Sequence, residues 1–115
     1  MGDARRKFQR GDIWIGDTGG SFGRRPYVIV SNNRFNATSD YLTVCPLTSR
    51  RKKDMESHVV IEADDNVRTI YSESTIMTEQ IQTIRKDCMH SYVMSLSREE
   101  MRKLNMAITY TIGST

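Results

Sequence analysis

Most of the usual catalytic arrangements are absent from the side chains that could do chemistry in this sequence. His58 and His90 have no cysteine near them, and Cys45 and Cys88 stand far apart with no CxxC spacing. No zinc site is expected from such a set, and no other cofactor is implied. There is no GxxxxGK[ST], GxGxxG or GxSxG run, and Gly19-Gly20 with Gly23 reads as a turn. What remains is a pattern of pieces rather than one motif. Arg25 precedes Pro26, which fixes the next φ, so little entropy is lost in aiming a guanidinium that can meet two phosphoryl oxygens. Thr48 offers a hydroxyl beside the irregularity expected at Pro46. Glu79 is a candidate proton acceptor if its carboxylate reaches the same groove. Each also has a plain structural reading: a paired surface arginine, a β-branched strand residue, a salt-bridged carboxylate.

Charge points the same way. Up to Lys53 there are eleven Lys/Arg against four Asp, and beyond it six basic against ten acidic residues. A net +3 therefore hides a basic first half and an acidic second half, which suggests a polyanion surface built mainly from the first. The run Arg50-Arg51-Lys52-Lys53 is its densest part. No apolar run approaches the roughly 20 residues of a membrane span, and no signal sequence follows the basic start. Free thiols and a cytoplasmic location are expected.

Residues 1–9 are polar and basic and read as a loose arm, leaving 10–115 as a single domain. Strands are predicted at Asp12–Asp17, Arg25–Ser31, Tyr41–Thr48, Ser57–Ala63 and Thr75–Ile84, with a short sixth at His90–Leu96. Pro46 cannot donate to a ladder, so an edge or a bulge is expected there. Asn32–Asp40 reads as a loop with at most one helical turn, and Asp64-Asp65-Asn66 as a turn. The period then changes. Ser97-Arg98-Glu99-Glu100 is a capping box, with Leu96 and Met101 placed as a hydrophobic staple. Met101, Leu104, Ala107, Ile108 and Ile112 repeat at helical spacing, predicting an amphipathic helix over Arg98–Ile112. Short connections favour antiparallel pairing. The expected fold is mainly β, a small curled sheet or barrel whose open side the C-terminal helix closes.

Five pieces in this order carry a resemblance: Arg10-Gly11-Asp12-Ile13, Arg24-Arg25-Pro26 leading to Ser31-Asn32, Pro46-Leu47-Thr48-Ser49, His58-Val59-Val60-Ile61, and Glu79-Gln80-Ile81-Gln82-Thr83-Ile84. Together they resemble the MazF/PemK toxin family over residues 10–112. The resemblance implies a twisted five-stranded antiparallel barrel of the CcdB/PemK type and a two-fold homodimer. It also implies metal-independent cleavage of single-stranded RNA to 2′,3′-cyclic phosphate and 5′-hydroxyl ends. The family's catalytic arginine falls on Arg25 and its threonine on Thr48. Arg24, Ser49, Arg50, Arg51, Lys52, Lys53 and Gln80 are the expected RNA contacts. The implied partner besides RNA is an antitoxin whose acidic, disordered tail would lie over the same basic groove.

Two departures matter. Thr18–Gly23 is shorter than the family's loop there, so its specificity residues do not carry over. Gln82 replaces an arginine, for which the basic run offers compensation. Two other readings fit the same fold: a gyrase-directed toxin of the CcdB type, and an RNA-binding relative without activity. The Arg25/Thr48 pair and the basic first half favour the nuclease.

Overall fold

The computed structural model describes residues 6–21, 23–50, 54–62 and 73–114. Alternating apolar residues make β1 (Asp12–Asp17), and the nearly continuous apolar run that follows the turn makes β2 (Arg24–Ile29). β3 (Tyr41–Thr48) falls where it was predicted. β4 (His58–Ile61) is shorter than expected, and β7 is Met89–Ser95. Asn32–Asp40 holds a six-residue helix, α1 (Asn33–Thr38), because the Asn32 side chain accepts from the Phe35 amide and caps it.

The predicted strand Thr75–Ile84 is broken. It becomes β5 (Ser74–Met77), a 3-10 turn at Thr78–Gln80, and β6 (Gln82–Arg85). The described residues therefore form seven strands rather than five or six. The cause lies in β3, which pairs β6 through Val44↔Gln82 but β5 through Leu47↔Ile76. Residues 77–81 are more chain than Cys45 and Pro46 can match, so the excess leaves the ladder as the turn. Val30 N–H donates to Thr43 O. By alternation the Pro46 nitrogen faces away from β2, into this gap, where no donor is needed. The irregularity expected at Pro46 is thus a break in its partner's ladder, and β3 is interior rather than an edge.

The sheet runs β4-β5-β3-β2-β1-β7, antiparallel throughout, with β6 also on β3. It is twisted but open, and both faces are covered. One face carries Ile13, Val28, Cys45, Leu47, Ile61 and Ile76 and packs under α2 (Arg98–Ile112). The other carries Trp14, Tyr27, Ile29, Leu42 and Val44, against which Phe8 packs.

α2 keeps its predicted bounds. Ser97 Oγ accepts from the Glu100 amide at 3.1 Å, and the Glu100 carboxylate accepts from the Ser97 amide at 2.8 Å. Leu104 and Ala107 are buried, and burying a leucine contributes about 1.5–3 kcal/mol to docking. Met101 and Ile108 pack beside them. Ile112 does not complete the stripe: it is 58% exposed, because the last turn runs past the sheet. Gly11, at φ +90, sits under Met101, whose sulfur would lie 2.6 Å from any Cβ. The positive φ is what favours glycine there, since the flexible Met101 side chain could move aside.

The loose arm is also corrected for Arg6–Gln9. Arg6 pairs with Asp12 at 3.3 Å and lies 3.8 Å over the Tyr92 ring, and Phe8 contacts Trp14 at 4.6 Å between ring centres. Asp64-Asp65-Asn66 lies outside the described residues.

Candidate functional site

One end of the sheet gathers the start of β2, the end of β3 and the start of β5, because the three run antiparallel. β2 and β3 are in register through Tyr27↔Pro46. The paired register ends at Tyr27↔Pro46, two residues short of Arg25 and Thr48. Thr48 in turn pairs with Thr75 on its other side. Arg25 and Thr48 both line a cleft of about 420 Å³ at this end.

Arg25 is half-buried, its guanidinium carbon 6.0 Å from the centre of the buried Tyr27 ring, two residues along the same strand face. That stacking limits how far the head group can swing. Thr48 Oγ1 accepts from the Arg50 amide at 3.2 Å. The bond uses an oxygen lone pair, so the hydroxyl proton remains available for donation. Arg24, Ser49, Arg50 and Gln80 line the same cleft. Among the described residues lining it there are three arginines and no carboxylate. Such a cleft is made for an anion, and its planar donors suit phosphate.

Four lining residues were not singled out from sequence: Pro26, Leu47, Ser74 and Met77. The first two lie inside the quoted motifs. Ser74 and Met77 arrive only through the pairing of β5 with β3, which no local pattern announces. Arg51, Lys52 and Lys53 lie outside the described residues.

Glu79 is placed differently from the expectation. It is not among the residues lining the cleft; its carboxylate accepts from Ser57 Oγ at 2.9 Å and meets His58 Nε2 at 3.0 Å. Burial pushes the Glu79 carboxyl up. The hydrogen bond from His58, a backbone amide, the Ser57 hydroxyl and the His58 charge outweigh this and hold it below its usual range. A carboxylate so held is a poor proton acceptor. Cys45 is pushed up to about 12 by burial and then by the Glu79 charge, which makes it an inert core thiol. Among the described residues no three His, Cys, Asp or Glu gather as a metal site.

The order of strands and the C-terminal helix match one family. Residues 9–112 match the model of the PemK-like, MazF-like toxin of type II toxin–antitoxin systems. The chain belongs to this family. It is 32% identical over 111 residues to the endoribonuclease MazF of Staphylococcus saprophyticus, covering 91% of each. Among solved structures, a mycobacterial endoribonuclease in complex with its cognate antitoxin superposes with a TM-score of 0.78 at 25% identity, over 91% of this chain and 94% of that one. MazF from Deinococcus radiodurans superposes at 0.72 with 17% identity over 92% and 96%, a likeness of fold. The PemK/MazF expectation is borne out, and with it the mainly antiparallel β fold with a C-terminal helix.

Proposed function

We propose that this chain is an endoribonuclease toxin that cuts single-stranded RNA without a metal, using Arg25 and Thr48. The observation that carries the reading is that both residues line one cleft with three arginines and no carboxylate among its described lining residues. Attack of the ribose 2′-oxygen on phosphorus forms one P–O bond and breaks the bond to the 5′-oxygen. The products are a 2′,3′-cyclic phosphate and a 5′-hydroxyl. Extra negative charge builds on the phosphoryl oxygens in flight, where the Arg25 guanidinium and the Thr48 hydroxyl are preorganised donors. Arginine keeps its protons at ordinary pH, so Arg25 contributes charge and geometry. Arg24 and Arg50 hold the flanking backbone.

The partners follow from the same surface. An antitoxin with an acidic, disordered tail suits the arginine-lined cleft, as the complex of the mycobacterial relative supports. Homodimerisation suits the outer face of α2, where Met106 and Tyr110 are about 60% exposed. A cytoplasmic site of action suits an mRNA substrate, and no helix of the described residues is long and apolar enough to cross a membrane.

The deciding experiment mixes the protein with a long unstructured RNA in EDTA and sequences the cut ends. Discrete cuts with 5′-hydroxyl and cyclic-phosphate ends are expected. Cutting only after magnesium is restored would overturn metal independence, and no cutting in either condition would overturn the nuclease.

A further inference from the structure

Behind the cleft, the 3-10 turn Thr78–Gln80 is held more firmly than three residues of exposed connection require. The Thr78 hydroxyl lies 2.6 Å from Ser57 O on the approach to β4 and 2.7 Å from Thr111 Oγ1 on α2. Glu79 is fixed by Ser57 and His58, and the Ile81 amide closes the turn on Thr78 O at 3.2 Å. Two separate elements thus clamp its first two residues. The third, Gln80, is exposed and lines the cleft with the rest of the turn behind it.

We propose that the turn Thr78–Gln80 is a rigid base-reading element, in which Gln80 presents its amide to the nucleobase beside the scissile phosphate and Thr78 and Glu79 are positioning residues that hold it there. The proposal rests on the nuclease reading above and adds to it the identity of the base reader.

Phosphate contacts set register but carry no sequence, so the cleft arginines cannot select a base through the backbone. Selection in a single strand needs an apolar surface for the base face and a fixed polar group for its edge. Pro26 gives the first. Among the described lining residues Gln80 is the one side-chain amide. Its Nε2 lies 3.6 Å from Met77 Sδ, which occupies one amide hydrogen. One donor and one acceptor then remain side by side. Every base edge carries a donor beside an acceptor, so the amide selects by position: the base that seats both bonds is set by where the turn holds Gln80. A carboxylate at the same place would offer two acceptors, which fit the N1–H and N2–H donors of guanine. Glu79 therefore serves the reaction at one remove, through the residue it holds.

The test is cut-site sequencing on an RNA pool randomised around the cleavage point, run with the wild type, Gln80→Leu, Gln80→Glu, Thr111→Val and Thr111→Ser. The wild type should favour one base at one position next to the cut, and Gln80→Leu should flatten that preference by on the order of 10-fold to 100-fold. Gln80→Glu should move the preference to guanine. Thr111→Val should weaken the same position and no other, and Thr111→Ser, which restores the hydroxyl, should recover it. A rate that falls equally at every sequence in Gln80→Leu, with the preference unchanged, would overturn the reading role. Thr111→Val that lowers the melting temperature without touching the preference would overturn the clamp. If the wild type cuts no RNA the nuclease reading itself falls. A wild type that cuts with a preference indifferent to Gln80 would sink this proposal alone.

Discussion

A guanidinium acts on a phosphate in flight by meeting charge that the ground state lacks, so its loss should appear in rate far more than in affinity. Arg25→Ala is therefore expected to slow single-turnover cleavage by on the order of 10²–10³-fold while RNA binding and folding largely persist. Arg25→Lys should recover little, because a point ammonium cannot make two parallel bonds. Thr48→Val keeps the shape, loses the proton donor, and should cost less than Arg25→Ala. Near wild-type rates in a folded Arg25→Ala protein would remove that residue from the mechanism. Glu79 yields a separate prediction, about stability. Its folded pKa is depressed, so its contribution is fully present above the unfolded carboxyl value of about 4.3 and is lost as pH falls through the lower folded value. Thermal melts from pH 7 downward should show the wild type losing stability in that acid window. Glu79→Gln should lose less there, and parallel curves would argue against the His58–Glu79–Ser57 contacts.

At the scale of elements, two devices shape the molecule: the capped helix and the broken strand. Ser97 satisfies an orphan amide at the start of α2, so Ser97→Ala should destabilise by about 0.5–2 kcal/mol in urea titrations, with Ser97→Asp close to the wild type. An unchanged midpoint in Ser97→Ala would mean that docking of Leu104 and Ala107 alone holds the helix. The broken strand works differently. Because residues 77–81 cannot pair with Cys45 and Pro46, the chain between β5 and β6 lifts out of the sheet and carries Gln80 to the cleft. A regular strand through Thr75–Ile84 would have left that residue in the ladder.

Over the whole molecule, charge is arranged so that the basic first half supplies the arginines of the cleft, while the acidic second half supplies α2 and the elements behind it. Backbone binding by such a surface releases counterions, and the dependence on salt counts the contacts. Replacing Arg50, Arg51, Lys52 and Lys53 by Gln should weaken binding of a non-cleavable RNA. It should also flatten the slope of log affinity against log salt by about 0.7 for each phosphate contact removed. An unchanged slope would show that the run is only solvated charge.

Local patterns were enough to place β1, β3 and α2 and to identify the capping box, since alternation, helical period and capping chemistry are written in neighbouring residues. The pieces around Arg25-Pro26 and Pro46-Leu47-Thr48 also led to the family, and so to the arginine and threonine. Their meeting was not legible locally. Arg25 and Thr48 share a cleft only because β2 and β3 pair in one register, and a slip of one residue would send one of the two side chains to the other face. The docking of Arg6 and Phe8 on Tyr92 and Trp14, in place of a loose arm, depended on β7 lying beside β1. Glu79 is the clearest case of what tertiary structure alone decided. Its sequence position beside Gln80 suggested a shared groove, but Ser57 and His58, brought in by β4, draw its carboxylate into their own contacts and leave Gln80 at the cleft. Hydrogen-bond partners from distant strands outweigh adjacency, because a carboxylate is most stable where donors converge on it.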